Sequence, residues 1–245
     1  MHDITHILFD LGNTLVYFEG DWPAVLHEAI AAIPGPLSDA GLELDEPRFL
    51  TEFHAALENY YAQRDIDLIE HTSLHVLRAT LTRLGAPILP EPLLRTALDA
   101  FYTVTQSHWR PEPEALPTLR TLHKRGYRMG IVSNASYDAD PQRQVFAHGL
   151  RTFLDFVLTS AYFGLRKPHP KIFLRALEYW SAPPARVVMV GDTLSADILG
   201  AHQAGLPAVW ITRHVDPAGM EMGSGRIRPD AVIASLSDLP EILAR

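Results

Sequence analysis

Four stretches of this sequence end in side chains that could act as nucleophiles, proton donors or metal ligands. They are Asp10 after the apolar residues 7–9, Ser133 and Asn134 after residues 129–132, Lys167 in the run RKPHPKIF, and Asp192 after residues 187–190 with Asp197 five residues later. An apolar run that stops at a polar residue is typical of a buried strand followed by a turn. Open α/β sheets bind their ligands at the carboxyl ends of the strands. We therefore expect these side chains to share one crevice.

Each of these residues also has an explanation that involves no chemistry. Asp10 could simply cap the turn that follows it, since Asp often bonds its own backbone there. Asp197 could be an acid in the first turn of a helix, where the dipole favours it. Lys167 could be a solvated loop lysine and Ser133 an ordinary turn residue. The order and spacing of all the features together, rather than any single one, indicates a site.

The overall composition excludes several classes of function. The chain has 245 residues, of which 47% are hydrophobic and 20% charged, as in ordinary globular proteins. A net charge of −8 without a run of Lys or Arg argues against nucleic acid or an anionic membrane as partner. The absence of cysteine excludes disulfides, thiolate nucleophiles and cysteine-ligated metals. No signal-like or long apolar segment is present, so we expect a cytoplasmic protein. The oligomeric state has no signature in the sequence.

The two ends of the chain alternate between strand and helix patterns. Strands are predicted over residues 6–10, 127–134, 156–160, 187–190, 208–211 and 231–233. One helix is predicted to end at residue 126, and three more are predicted to span about 141–148, 171–180 and 196–204. Apolar strands without polar alternation indicate a parallel sheet covered on both faces, so the predicted fold class is α/β, a doubly wound sheet. Residues 214–229 are predicted to form a loop, whose GSG lacks the context of a phosphate loop.

The stretch between the first two strands has a purely helical pattern. Apolar residues recur at helical spacing from Trp22 to Ile30, over about 47–63, 67–84 and 90–105, and Pro34-Gly35-Pro36 breaks the first segment. We therefore predict a core domain of residues 1–16 and 108–245, with an all-helical domain of residues 17–107 inserted into it.

The combined motifs resemble those of the haloacid dehalogenase (HAD) superfamily, most closely its members with a helical cap after the first motif. The family motifs are DxDx(T/V), an apolar strand ending in Ser or Thr, a Lys often followed by Pro, and GDxxxxD. Their matches here are Asp10 and Thr14, then Ser133, then Lys167-Pro168, then Gly191-Asp192 with Asp197. The resemblance covers essentially the whole chain and implies a doubly wound core, a cap and phosphohydrolase activity on a small phosphorylated substrate.

The resemblance also implies roles for these residues. Asp10 would attack phosphorus and form an aspartyl-phosphate that water cleaves. A carboxylate cluster facing a phosphate dianion requires cations, and Mg²⁺ with oxygen ligands is expected. Lys167 would add positive charge to the site and Ser133 would donate to the phosphoryl oxygens. The implied metal ligands are Asp10, the backbone carbonyl of Gly12, and Asp192, with Asp197 either a ligand or the partner of Lys167. Thr14 and Asn134 are the further substrate-binding candidates.

One position departs from the family pattern. Family phosphatases carry a second Asp two residues after the nucleophile, and this chain has Gly12 there. Glycine has no proton to give, and a positioned acid or base contributes about 10²–10⁴ in rate. Either another group supplies the proton or the substrate has a good leaving group. Glu19 and Asp21 are candidate replacements, although solvated acids at a helix start are the plainer interpretation.

Two alternatives to a phosphatase remain open, and one further pair of residues could bind a metal. Dehalogenases of the same superfamily also lack the second Asp, but they need no metal, so the intact GDxxxxD pattern favours phosphoryl chemistry. A regulator that binds phosphate or metal without turnover is compatible with Gly12. His71 and His75 stand four residues apart and could bind zinc, but no third ligand accompanies them in helical register, which favours a surface pair.

Overall fold

The structure, a computed structural model, describes residues 3–215 and 227–244. Its strands are β1 (His6–Phe9), β2 (Val16–Phe18), β3 (Trp109–Pro111), β4 (Arg128–Ser133), β5 (Phe156–Thr159), β6 (Val187–Gly191), β7 (Ala208–Ile211) and β8 (Ala231–Ile233). Six of them form one sheet in the order β5-β4-β1-β6-β7-β8, and every neighbouring pair is parallel. The short strands β2 and β3, which the sequence pattern did not predict, pair separately.

The centre of the sheet is apolar on both faces. Ile7, Leu8 and Phe9 of β1 have no exposed surface, and every residue of β6 is buried. Full burial of this kind explains why these strands lack polar alternation. The chain adds β4 and β5 on one side of β1 and then β6, β7 and β8 on the other, so the winding direction changes at β1. The predicted α/β, doubly wound fold class is confirmed.

The chain divides into two compact units, residues 1–18 with 110–245 and residues 19–109. The helices of the second unit are α1 (Trp22–Ala31), α2 (Pro34–Asp39), α3 (Glu46–Asp67), α4 (Ser73–Arg83) and α5 (Glu91–Gln106). Their buried faces consist of the apolar residues at helical spacing, such as Phe49, Phe53 and Leu57 of α3. The assignment of this unit as a cap domain stays a proposal.

The first unit holds the remaining helices, which flank the sheet. They are α6 (Ala115–Lys124), α7 (Ala139–Ala147), α8 (Ser160–Phe163), α9 (Pro170–Glu178), α10 (Leu199–Gln203) and a last short helix, Leu239–Ile242. A π-helical turn, Leu194–Ile198, directly precedes α10. π turns are rare and often occur at functional sites. This one carries Asp197.

One helical prediction is confirmed and another was wrong in detail. Pro34-Gly35-Pro36 does break the first helical segment, since α1 ends at Ala31, and the same residues begin the short helix α2, because proline is well suited to a helix's first turn. The helix predicted from residue 67 begins at Ser73, since Leu68 ends α3 in a left-handed conformation (φ 58°) and the Thr72 side chain caps α4. Of the loop predicted over 214–229, residues 216–226 with the GSG lie outside the described part.

Within residues 3–215 and 227–244, no helix combines the length and apolar character that crossing a membrane requires.

Candidate active site

Asp10 follows β1 directly, at the carboxyl edge of the sheet. Its backbone N–H donates to the carbonyl of Val190 (2.9 Å), which extends the pairing of β1 with β6 by one residue. The chain then turns tightly, with the N–H groups of Leu15 and Val16 both donating to the carbonyl of Leu11 (2.9 and 3.0 Å). The Asp10 side chain is 11% exposed, so a largely buried carboxylate stands where two central strands end.

The left-handed residue of this turn is Asn13, with φ 55°, and Gly12 has no positive φ. Asn tolerates this conformation better than most residues other than glycine. The Asn13 side chain also forms a hydrogen bond with Asp192, which acts to lower the pKa of that carboxyl. Sequence reasoning missed this link. The Gly-Asn pair signals a turn, but only the fold brings its second member to the end of β6.

Lys167 lies between the ends of three strands although it belongs to none. Its Nζ donates to Oδ1 of Asp10 (2.5 Å) and to the carbonyl of Val132 (2.8 Å), and it is 2.7 Å from Oδ1 of Asp197. The side chain is 2% exposed. A buried ammonium needs such partners because its desolvation is costly. Burial alone would lower the pKa of Lys167, but Asp10 and Asp197 outweigh it and raise that pKa, so the lysine carries its charge.

Asn134 holds the main chain of Lys167. Its Oδ1 accepts from the Lys167 N–H (2.8 Å) and its Nδ2 donates to the Lys167 carbonyl (2.9 Å). Both ends of the amide are therefore engaged, which ties the end of β4 to the loop that carries the lysine. The predicted contact of Asn134 with substrate stays a prediction, and the geometry favours a positioning role for it.

Asp192 comes directly after β6, and Asp197 lies in the π-helical turn that follows. The Asp197 side chain is 1% exposed, and its Oδ2 accepts from the N–H of Thr193 (3.0 Å). Its Oδ1 lies at ion-pair distance from Lys167 but accepts no hydrogen bond within the described residues. Gly191 makes this packing possible, because a Cβ placed there would lie 2.3 Å from Oδ2 of Asp197. The glycine of the GD pair thus leaves space for the second acid of its own motif.

Asp10, Asp192 and Asp197 form one acidic cluster. One carboxylate oxygen from each lies within 4.8 Å of the others, and no other group of three or more potential ligands occurs within the described residues. Burial, opposed by Lys167 and reinforced by the two neighbouring acids, raises the pKa of Asp10 to about 7. Burial and Asp197 raise the pKa of Asp192 to about 6. A bound cation would reduce the repulsion between these buried carboxylates and favour their ionised forms.

The hydroxyl candidates lie at the same sheet edge. Ser133 ends β4 and is 6% exposed. Thr14, in the turn after Asp10, is fully buried, and its Oγ1 has no hydrogen-bond partner within the described residues. A buried hydroxyl without a partner costs free energy, so it marks a place where a ligand could restore the bond.

The other sequence candidates fall in the second unit. Glu19 and Asp21 are both exposed there, and Asp21 precedes α1 without capping it. His71 lies before α4, so its ring and that of His75 are not on one helix as predicted, although their centroids are 5.5 Å apart. Asp67 lies 3.9 Å from Nε2 of His71, but these three residues do not form a group of converging ligand atoms. The interpretation of the histidines as a surface pair stays a prediction.

Comparison with known proteins places this arrangement among hydrolases. Residues 4–205 match the family model described as haloacid dehalogenase-like hydrolase. A glyceraldehyde 3-phosphate phosphatase of Methanopyrus kandleri is 31% identical over 215 residues, which cover 86% of this chain and 84% of that protein.

Two solved structures resemble the whole chain. A 2-haloacid dehalogenase from Pseudomonas syringae has a TM-score of 0.73 at 27% identity and covers 99% of both chains. A HAD phosphatase from Thermococcus onnurineus has a TM-score of 0.61 at 26% identity, over 98% of this chain and 97% of that one. The similarity therefore includes both phosphatases and a dehalogenase.

Proposed function

We propose that this chain, which belongs to the haloacid dehalogenase-like hydrolases, is a magnesium-dependent phosphatase of a small phosphorylated metabolite. The observation that supports this most directly is the cluster of Asp10, Asp192 and Asp197 around the buried ammonium of Lys167. Similarity to phosphatases such as that of Methanopyrus kandleri points to the same chemistry.

The residues of the cluster fit a hard divalent cation. Their donors are all oxygens, and burial together with the neighbouring carboxylates raises the pKa values of Asp10 and Asp192, a cost that a bound cation would offset. Asp10, Asp192 and the backbone carbonyl of Gly12 would hold the cation. Asp197, which is held by Thr193 through Oδ2 and forms an ion pair with Lys167 through Oδ1, would orient the lysine. When bound, Mg²⁺ would offset the charge of the phosphate dianion and of the carboxylates.

The first step uses Asp10 as the nucleophile. Lys167 donates to Oδ1 of Asp10, which fixes the rotation of the carboxylate and favours its ionised form. One Asp10 oxygen bonds to phosphorus while the bond from phosphorus to the leaving oxygen breaks and that oxygen keeps the electron pair. The charge of Lys167 and donation from Ser133 and Thr14 would stabilise the phosphoryl oxygens in this step.

The second step returns the enzyme to its starting state. Water bonds to phosphorus and gives a proton to solvent, the bond from phosphorus to Asp10 breaks so that the carboxylate leaves with the electron pair, and inorganic phosphate is released. Gly12 supplies no proton to the leaving oxygen in the first step and takes none from water in the second. The leaving oxygen would therefore depart with its charge or take a proton from solvent.

A dehalogenase is the second candidate, because the Pseudomonas syringae enzyme shares the whole fold. In that reaction Asp10 would displace a halide from carbon, and an acidic cluster for a cation would have no use. A screen of phosphorylated metabolites and 2-haloacids, each with Mg²⁺ and with excess chelator, separates the two. Phosphate release that stops in chelator supports the proposal, whereas halide release that persists in chelator refutes it.

A further inference from the structure

The segment after β6 touches the loop of Lys167 at two places. Asp197, at the end of the π-helical turn, contacts Nζ of Lys167 at 2.7 Å. Gly200, three residues later in α10, lies against the next residue of the loop, since a Cβ added to Gly200 would be 2.8 Å from the backbone Cα of Pro168. The carboxylate of Asp197 thus contacts Lys167, and the backbone of Gly200 packs against the next residue, Pro168.

We propose that Gly200 is a positioning residue for Lys167. The expected effect on kcat rests on the proposed function, whereas the effect on the position of Lys167 does not. By carrying no side chain, Gly200 lets α10 approach the Lys167-Pro168 backbone closely enough for Asp197 to reach the ammonium. Asn134 holds the other side of the same backbone, at 2.8 and 2.9 Å. The main chain of the lysine is therefore fixed between β4 and α10.

The distances indicate how little displacement the site tolerates. Carbon atoms in contact are normally about 3.5–4.0 Å apart, so a methyl group at position 200 would push Pro168 away by about 0.7 Å. The same shift of Nζ, if directed away from Asp197, would lengthen their 2.7 Å ion-pair contact to about 3.4 Å and weaken it. Misplacement of a catalytic group by about 1 Å can cost on the order of 10²-fold in rate.

Gly200→Ala tests the inference, with Gly130→Ala as the matched control. A Cβ at buried Gly130 in β4 would also meet a close neighbour, 2.5 Å away, but that neighbour is the ring of Phe156 and not the lysine loop. The two variants therefore overpack the core similarly, and only one of them presses on Pro168. A Cβ at position 200 would also lie 2.5 Å from the ring of Phe173. If Gly200→Ala does not fold, the double variant Gly200→Ala with Phe173→Leu relieves this contact and leaves the contact with Pro168.

Lysine NMR gives a readout independent of turnover. The sequence has three lysines, Lys124, Lys167 and Lys171. The first and last are exposed, so only Lys167 should show a slowly exchanging ¹⁵N-labelled amino group, which Lys167→Met identifies. We expect Gly200→Ala to shift this signal and to speed its exchange by about tenfold or more, and Gly130→Ala to leave it unchanged.

Kinetics provide the second arm. Gly200→Ala should lower kcat by about tenfold or more, but should have less than a twofold effect in the Lys167→Met background, because it acts through the lysine. An unchanged Lys167 signal in Gly200→Ala, or the same change in Gly130→Ala, overturns the inference. If the signal responds as expected while the wild-type protein cleaves no phosphate ester, the proposed function fails and the positioning of Lys167 by Gly200 stands.

Discussion

Asp10 and Lys167 stand 157 positions apart in the chain, yet Nζ of Lys167 lies 2.5 Å from Oδ1 of Asp10. The contact is buried, and it joins the end of β1 to the loop that follows β5 and α8. The lysine favours the ionised carboxylate that nucleophilic attack requires, and it brings positive charge to the atom that would meet phosphorus.

Asp10→Asn should abolish turnover and leave the fold intact, because the amide has the same shape but is a poor nucleophile. Lys167 would lose one anionic partner and keep Asp197 and the Val132 carbonyl. Steady-state rates and thermal unfolding of both proteins check this. When turnover of a substrate with a labelled phosphoryl group is quenched rapidly, the label should be trapped on Asp10 of the wild-type protein. Label on any other residue contradicts the assignment.

The unfolding free energy of the cation-free protein should fall as pH rises from about 4 to 7. Burial raises the pKa of Asp10 to about 7 and that of Asp192 to about 6, from the ordinary value of 3.8. Between these values the folded state binds more protons than the unfolded state, so each such proton removes about 1.4 kcal/mol of stability per pH unit. Urea unfolding across this range measures the slope.

Two comparisons isolate the cause of that slope. Asp10→Asn should flatten it, since one of the raised carboxyls is gone. Added Mg²⁺ should stabilise the wild-type protein increasingly as pH rises, because the ligands must lose their protons to bind it. Equal stabilisation by Mg²⁺ at pH 5 and pH 7 would argue against these carboxylates as the ligands.

Gly191→Ala should impair catalysis far more than a typical surface substitution. The new methyl group would overlap Asp197 Oδ2 at 2.3 Å, so the carboxylate would leave Thr193 and Lys167. We expect a fall in kcat on the order of 10²-fold, as for a misplaced catalytic group. Gly35→Ala is the control, since a Cβ there meets nothing within 4 Å. A Gly191→Ala enzyme with wild-type kcat would mean that Asp197 has no part in orienting the lysine.

The sheet could be predicted from the sequence because its central strands are buried on both faces. Ile7, Leu8 and Phe9 form an apolar run that only a covered strand explains, and the run ends at the carboxylate. The start of α4 could not be predicted in the same way. Helical periodicity continues back to residue 67, and the cap formed by Thr72 decides the boundary.

The site was predictable in its residue types and not in its contacts. Motif order indicates that Asp10 and Lys167 share a crevice, because strand ends converge in a doubly wound sheet. The clamp of Asn134 on the Lys167 main chain depends on two loops that only the tertiary fold brings together. The same is true of Asn13, whose side chain reaches Asp192 from a turn that looked like a simple Gly-Asn signal.

Gly12 should make the rate depend steeply on the leaving group. With no acid at position 12 to protonate the leaving oxygen, aryl or acyl phosphates should be cleaved much faster than sugar or alkyl phosphates. A series of substituted phenyl phosphates measures this dependence as a plot of log kcat/KM against leaving-group pKa.

Gly12→Asp should flatten that plot and speed the release of phosphate from Asp10, with a gain of at most about 10²–10⁴. A left-handed backbone does not oppose the change, since that conformation belongs to Asn13 and not to Gly12. Thermal unfolding of the variant confirms that it is folded before its rates are interpreted. A folded Gly12→Asp enzyme with an unchanged slope would show that the proton comes from elsewhere. Glu19→Gln and Asp21→Asn would then identify its source, because each substitution removes an acid and keeps the shape of the side chain.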